Sequence, residues 1–195
     1  MDGDARDHDG VMQDGVTERR ERFEAVYREL YAPICGYTMR RVGDPEDAAE
    51  AIAETFATLW RRLDRCPAGD ELRPWLFGVA RRVIANQRRG ERRRSALSER
   101  LSSTLDRTAF DTAGHSDDTS PLAQAFATLS ESDRELLSLV AWEGLTGNEL
   151  AVALGTSGPV VRLRLHRARK RLQEALEAVD ARPPTQIRLT EGDRA

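Results

Sequence analysis

The chain predicts an all-α fold, two small helical domains joined by a flexible acidic linker. Three observations carry this. Apolar residues recur at three- and four-residue steps through both halves; no stretch alternates with the two-residue period of a strand; and a Ser/Thr/Asp/Gly-rich segment, residues 95–120, separates the two periodic regions. A length of 195 residues suits one or two small domains, and an aromatic content of 6% fits helix bundles better than β-sandwiches.

Taken in order, residues 1–16 are rich in Asp and Gly and predict a disordered tail. The first domain spans residues 17–94. Its first helix, 17–42, carries Phe23, Val26, Tyr27, Leu30, Tyr31, Ile34 and Cys35 as one apolar stripe, with Pro33 predicting a kink or break. Asp44 caps the next helix, Pro45 fits its first position, and Glu46 and Asp47 favour the positive end of its dipole. That helix runs to Leu63 with Ala48, Ile52, Phe56, Leu59 and Leu63 on its apolar face. A loop over residues 64–70 leads to a third helix, from Glu71 to Arg94, with Pro74 in its first turn and Trp75, Leu76, Val79, Val83 and Ile84 toward the core. After the linker the second domain, residues 121–178, has four helix starts: Ser120-Pro121, Ser130-x-x-Asp133, Thr146-x-x-Glu149 and Ser157 with Pro159 behind it. Gly144 and Gly155 stand just past helix ends, where left-handed backbone is often needed. Residues 179–195, with Pro183-Pro184, predict a disordered tail.

The net charge of −3 hides a strong segregation. Arg81, Arg82, Arg88, Arg89, Arg92, Arg93 and Arg94 face a single acid, Glu91, in one run; Arg162, Arg164, Arg167, Arg169, Lys170 and Arg171 face none in the other. Exposed helices ordinarily mix signs, so two strongly basic runs point to polyanions. Two cysteines make no disulfide framework and fit a reducing cytoplasm, Cys35 on an apolar helix face and Cys66 exposed in a loop. No apolar run approaches the roughly 20 residues of a membrane span, which argues against membrane insertion, and the acidic start is no signal peptide. There is no phosphate loop, metal-ligand spacing or nucleophile–base pattern, and His8, His115 and His166 are scattered, so the sequence predicts neither an enzyme nor a cofactor.

Residues 146–171 hold the function. A short helix, 147–154, a tight turn at Gly155-Thr156-Ser157 and a second helix from Gly158 have the spacing of a helix-turn-helix, with Leu150, Ala151 and Leu154 meeting Val161 and Leu165. Such a motif lays its second helix in the DNA major groove and lets its early residues touch bases. Arg162, Leu163 and His166 share an outward face with Arg167 beside them; Arg169, Lys170 and Arg171 suit phosphates or solvent.

Three further stretches place the motif in a family. Residues 44–50 (DPEDAAE) with 53–56 (AETF), residues 73–81 (RPWLFGVAR) and residues 161–169 (VRLRLHRAR) occur in this order across the linker. On these the chain resembles the extracytoplasmic-function (ECF) sigma factors of the sigma-70-like family, residues 20–94 as sigma region 2 and 121–177 as sigma region 4. The resemblance implies an RNA polymerase sigma factor that directs core polymerase to promoters and assists DNA opening. It implies core-polymerase contacts at Asp47, Glu50, Glu54 and Trp60, with core packing the other reading for Trp60 and the favoured one for Phe56 and Trp75. It implies minus-10 and strand-backbone contacts at Arg65, Asp70, Arg81, Arg82, Arg88 and Arg89, and minus-35 contacts at Arg162, Leu163, His166 and Arg167. Bacterial core RNA polymerase, promoter DNA and an anti-sigma factor are the implied partners. Ala53 stands where the family usually has Gln, Arg82 where it has Asn, Pro159-Val160 where it often has Gly-Thr, and Leu163 where it has Ser. Leu163 donates no hydrogen bond, so it touches a thymine methyl or simply packs. A free-standing DNA-binding regulator, with the first half a sensor or dimerisation bundle, is the alternative; tight duplex binding without polymerase would distinguish it.

Overall fold

The computed structural model describes residues 5–101 and 120–181, with side chains at 15–94 and 120–181. Among these residues it contains no strand. The order is α1 (Ala5–Met39), α2 (Pro45–Arg62), a 3-10 turn (Gly69–Glu71), α3 (Leu72–Leu101), then α4 (Pro121–Thr128), α5 (Glu131–Ala141), α6 (Gly147–Leu154) and α7 (Gly158–Asp180).

In the first domain α1 begins at Ala5, where the sequence predicts a tail, and passes through Pro33 without breaking. Proline removes one backbone hydrogen bond, but Ile34 and Tyr37 in the following turn are completely buried, and their packing holds the helix. The apolar stripe divides. Val26, Leu30, Ile34 and Tyr37 face the core formed with Phe56, Leu59, Leu63, Leu76, Phe77, Ala80 and Ile84, whereas Tyr27 and Tyr31 stay partly exposed along its edge. Their rings lie 4.7 and 6.0 Å from that of Phe56. α2 starts as predicted: Asp44 accepts hydrogen bonds from the amides of Glu46 and Asp47 at 2.8 and 3.1 Å. α3 continues past Arg94 to Leu101, because its Arg-, Glu-, Ala- and Leu-rich end favours helix over linker. Residues 102–119 of the predicted linker lie outside the described residues.

The cysteines exchange their expected environments. Cys66 is only 8% exposed, its thiol donating to the Leu63 carbonyl at 3.2 Å with Arg22 over it, while Cys35 is half-buried. The loop after α2 folds back against α1 and encloses Cys66, a consequence of tertiary packing that its local sequence does not announce.

In the second domain each predicted helix start is present. Ser130 accepts from the amide of Asp133 at 3.2 Å, and Thr146 with Glu149 forms a full capping box. Ser157 occupies the cap position of α7, but its side chain caps nothing; Pro159 already removes one of the amides that would need a partner. Gly144 and Gly155 adopt φ of 65° and 62°, as their places past helix ends require. Asp133 is buried between Ser130 and Arg171, which donates to it at 2.7 and 2.8 Å. The Arg171 hydrogen bonds hold its carboxyl below the usual carboxylate range.

The two domains pack together, their cores forming one continuous apolar cluster. Gly78 on α3 lies against the backbone of Ala153 on α6, where a Cβ would stand 2.7 Å from the carbonyl oxygen. Around this contact, arginines of the first domain meet carboxylates of the second: Arg40 with Glu143 at 2.7 Å, Arg41 with Glu135 at 2.8 Å, Arg88 with Glu131 at 2.5 Å and Arg73 with Glu149 at 3.8 Å.

Candidate nucleic-acid interface

The helix-turn-helix is built by α6 and α7. Gly155 in left-handed backbone turns the chain, and its amide donates to Val152 while that of Thr156 reaches back to Ala151. Leu150 and Val161 are fully buried, and Ala151, Leu154 and Leu165 pack around them, which fixes the angle at which α7 stands off. The opposite face of α7 presents Arg162, Leu163, His166 and Arg167 to solvent, as predicted. Val160 joins them, so the start of the helix combines cations with two exposed aliphatic groups, 44% exposed at Val160 and 51% at Leu163. Arg169 and Lys170 are also exposed, but Arg171 is drawn back onto Asp133 and serves the fold.

The basic run of α3 does not form one stripe. Residues seven apart share a helix face, so Arg81 and Arg88 form one row and Arg82 and Arg89 another. Arg88 points toward the second domain, bonding Glu131 and the Arg41 carbonyl, both at 2.5 Å. Arg82 is exposed beside a groove between α2 and α3, and Arg89 is exposed with a hydrogen bond to Asn86. Arg65 and Asp70 are exposed around the loop before α3.

The groove beside Arg82, about 580 Å3 in volume, has Glu50, Ala53 and Glu54 on its α2 wall and Val83 and Gln87 on its α3 wall. Glu50 and Glu54 therefore share a surface with Ala53. Glu54 accepts from Arg61 at 2.5 Å, and Asp47 is half-buried, its carbonyl bonded by Gln87. Trp60 stands apart on the α1 side, its ring edge-on to Phe23 at 5.3 Å and beneath the Arg19 guanidinium at 5.0 Å. Being 39% exposed, it both packs and presents surface. Phe56 is core and Trp75 packs against the core, as expected.

Sequence reasoning missed Arg40, Arg41 and Arg73, whose partners lie in the second domain. It also missed Gly78, although a glycine inside an otherwise good helix signals close approach of another backbone.

Comparison with known proteins agrees with this arrangement. Residues 26–94 match the family model of sigma-70 region 2, and residues 120–172 match that of sigma-70 region 4. The ECF RNA polymerase sigma factor SigL of Mycobacterium tuberculosis is 31% identical over 157 residues, covering 78% of this chain and 88% of the relative. The RNA polymerase sigma factor NccH of Alcaligenes xylosoxydans xylosoxydans is 30% identical over 146 residues, covering 71% of this chain and 78% of the relative. Among solved structures, the sigma factor RpoE in complex with the anti-sigma factor NepR from Bartonella quintana superimposes with a TM-score of 0.58 at 22% identity, covering 80% of this chain and 96% of that one. CnrH in complex with the cytosolic domain of CnrY gives 0.54, also at 22% identity, covering 80% of this chain and 88% of that one. The two matched regions in their order, the curated relatives and the shared fold establish that the chain belongs to the ECF sigma factors of the sigma-70 family.

Proposed function

We propose that this ECF sigma factor divides its work between the two faces described. Region 4 reads the minus-35 duplex through Arg162, Leu163, His166 and Arg167 at the start of α7. Region 2 binds core polymerase through Asp47, Glu50 and Glu54 on α2, with Trp60 on a neighbouring flank. It holds the opened minus-10 strand with Arg65 and Asp70 in the loop and with Arg81, Arg82, Arg88 and Arg89 on α3. Opened strands need cations along the backbone, and Arg65 in the loop with the basic helix behind it offers them. The chain catalyses no reaction of its own; nucleotide chemistry belongs to the polymerase. It works in the cytoplasm, where polymerase and promoter are, and among the described residues no helix is long and apolar enough to cross a membrane. One structural neighbour, the sigma factor RpoE, is held in complex with the anti-sigma factor NepR, and an anti-sigma factor is proposed here as a third partner.

The observation that carries this reading is the exposed basic start of α7 on a rigid helix-turn-helix, joined to a region 2 that supplies a second basic helix. Co-elution of the purified chain with sigma-free bacterial core RNA polymerase tests it. A stoichiometric complex that initiates at specific promoters is expected. Folded protein that never associates at moderate salt, but binds duplex DNA tightly alone, would support the free-standing regulator.

A further inference from the structure

Val160 and Leu163 are exposed at one place only, the outward start of α7, one turn apart. The other large aliphatic residues of that helix, Val161, Leu165, Leu172, Leu176 and Val179, are all at least half-buried. Arg162, His166 and Arg167 surround the pair and make no ion pair among the described residues. A cationic rim brings a polyanion to this patch, and the major groove of duplex DNA offers one apolar group on its base edges, the thymine methyl. We infer that Val160 and Leu163 form a reading patch for thymine methyl groups in the minus-35 duplex, making thymine a determinant of this chain's promoter choice. The inference rests on the proposed role of region 4.

The test is to select minus-35 sequences from a randomised duplex library with reconstituted holoenzyme, then replace each selected thymine by deoxyuridine. That change deletes one methyl group and nothing else. Loss of one buried methyl is expected to weaken binding about three- to fivefold at the thymines beneath the patch. Leu163→Ser, at an exposed position that does not support the fold, should bind thymine and uracil duplexes alike where it removes the contact. Selected sites without thymine, or no effect of uracil on the unaltered chain, would overturn the inference while leaving the sigma role intact. Holoenzyme that selects no minus-35 sequence at all would overturn the role of region 4 as well.

A separate observation concerns the contact between the domains. Glu131, Glu135, Glu143 and Glu149 of region 4 lie against Arg88, Arg41, Arg40 and Arg73 of region 2, and Tyr37 donates to Glu135 at 2.6 Å. Carboxylates thus occupy arginines on the side of region 2 that includes Arg88, a proposed strand contact. The interface is imperfect: one guanidinium nitrogen of Arg41 is buried there without a hydrogen-bond partner. Unmet polar groups make separation of the domains less costly than parting a dry apolar interface would be. The geometry points to a self-blocked closed state, in which Glu131 of region 4 holds Arg88 where a strand phosphate would bind and must leave before the opened strand can engage it.

Gly78→Ala gives a direct test. Alanine favours the helix itself, and the three atoms nearest the added Cβ all belong to the backbone of Ala153 across the interface. Small-angle scattering should show the unaltered chain compact at low salt and the variant extended. The open variant should bind a single-stranded promoter oligonucleotide about tenfold more tightly, since it no longer spends most of its population with Arg88 held closed. Glu135→Arg, which sets like charges together at Arg41, should act in the same direction. An unaltered chain already extended at low salt, variants that stay compact, or open variants that bind the single strand no better would each overturn the closed-state inference.

Discussion

Tyr37, completely buried on α1, donates its hydroxyl to the carboxylate of Glu135 on α5 at 2.6 Å, joining residues of different domains. The Arg41 guanidinium lies 3.7 Å from the centre of the same ring and bonds the other Glu135 oxygen at 2.8 Å. Burial, and then the charge of Glu135, push the phenol well above its ordinary value. A group with a raised folded pKa contributes stability that is intact below the unfolded pKa, near 10, and is lost as pH rises toward the folded value. Tyr37→Phe should cost about 1–2 kcal/mol of coupling between the domains at neutral pH. It should also remove part of the loss of stability above about pH 10. Urea unfolding followed by tryptophan fluorescence at several pH values measures both, with Trp75 in the first domain and Trp142 in the second.

The inter-domain ion pairs set a salt dependence. The side chains of Arg40 and Glu131 are well exposed, so their pairs with Glu143 and Arg88 are open to screening. Raising salt from low to about 0.5 M should shift the chain toward extended forms in scattering, while circular dichroism keeps the helix content. Loss of helix in step with expansion would mean that the domains unfold rather than separate.

Leu150 is fully buried where α6 meets α7, beside Val161. Leu150→Ala should destabilise the second domain by about 2–5 kcal/mol and, by freeing the angle of α7, weaken minus-35 duplex binding even at temperatures where the domain remains folded. Thermal melts with duplex binding at a permissive temperature separate the two effects. Arg162→Ala should show the reverse pattern: no change in stability within about 0.5 kcal/mol, but reduced sequence discrimination.

Acid should act on the second domain through Asp133 and Glu149. Hydrogen bonds from Arg171 lower the first, and the Thr146 amide, at 2.7 Å, lowers the second. Depressed carboxylates contribute stability that is present above the unfolded pKa, near 4, and is lost as pH falls through the folded pKa. Unfolding below about pH 4 should therefore be shallower in Asp133→Asn, and that variant should be less stable at pH 7. Equal pH dependence in the variant and the unaltered chain would remove Asp133 from the account.

The thiols should react at different rates. Cys66, buried behind Arg22 and bonded to the Leu63 carbonyl, should modify slowly and only as the loop opens, whereas half-buried Cys35 should modify first. Comparing thiol labelling of Cys35→Ser and Cys66→Ser variants measures this.

What the sequence determined by itself is local in its physics. Caps at Asp44, Ser120, Ser130 and Thr146, left-handed glycines at 144 and 155, and the three- and four-residue apolar period act within a turn or two of the chain. They therefore placed the helices and the helix-turn-helix with its outward residues, and the family motifs added the role. Tertiary structure decided what depends on distant neighbours. Pro33 reads as a break because its missing hydrogen bond is local, while the packing of Ile34 and Tyr37 that overrides it is not. Cys66 reads as exposed because its loop is polar, yet the fold closes over it. Arg88 reads as a strand contact, and Glu131, 43 residues away, already holds it. Arg41 and Glu135 are 94 positions apart, and only the meeting of two domain surfaces, set by the missing side chain at Gly78, brings such charges together.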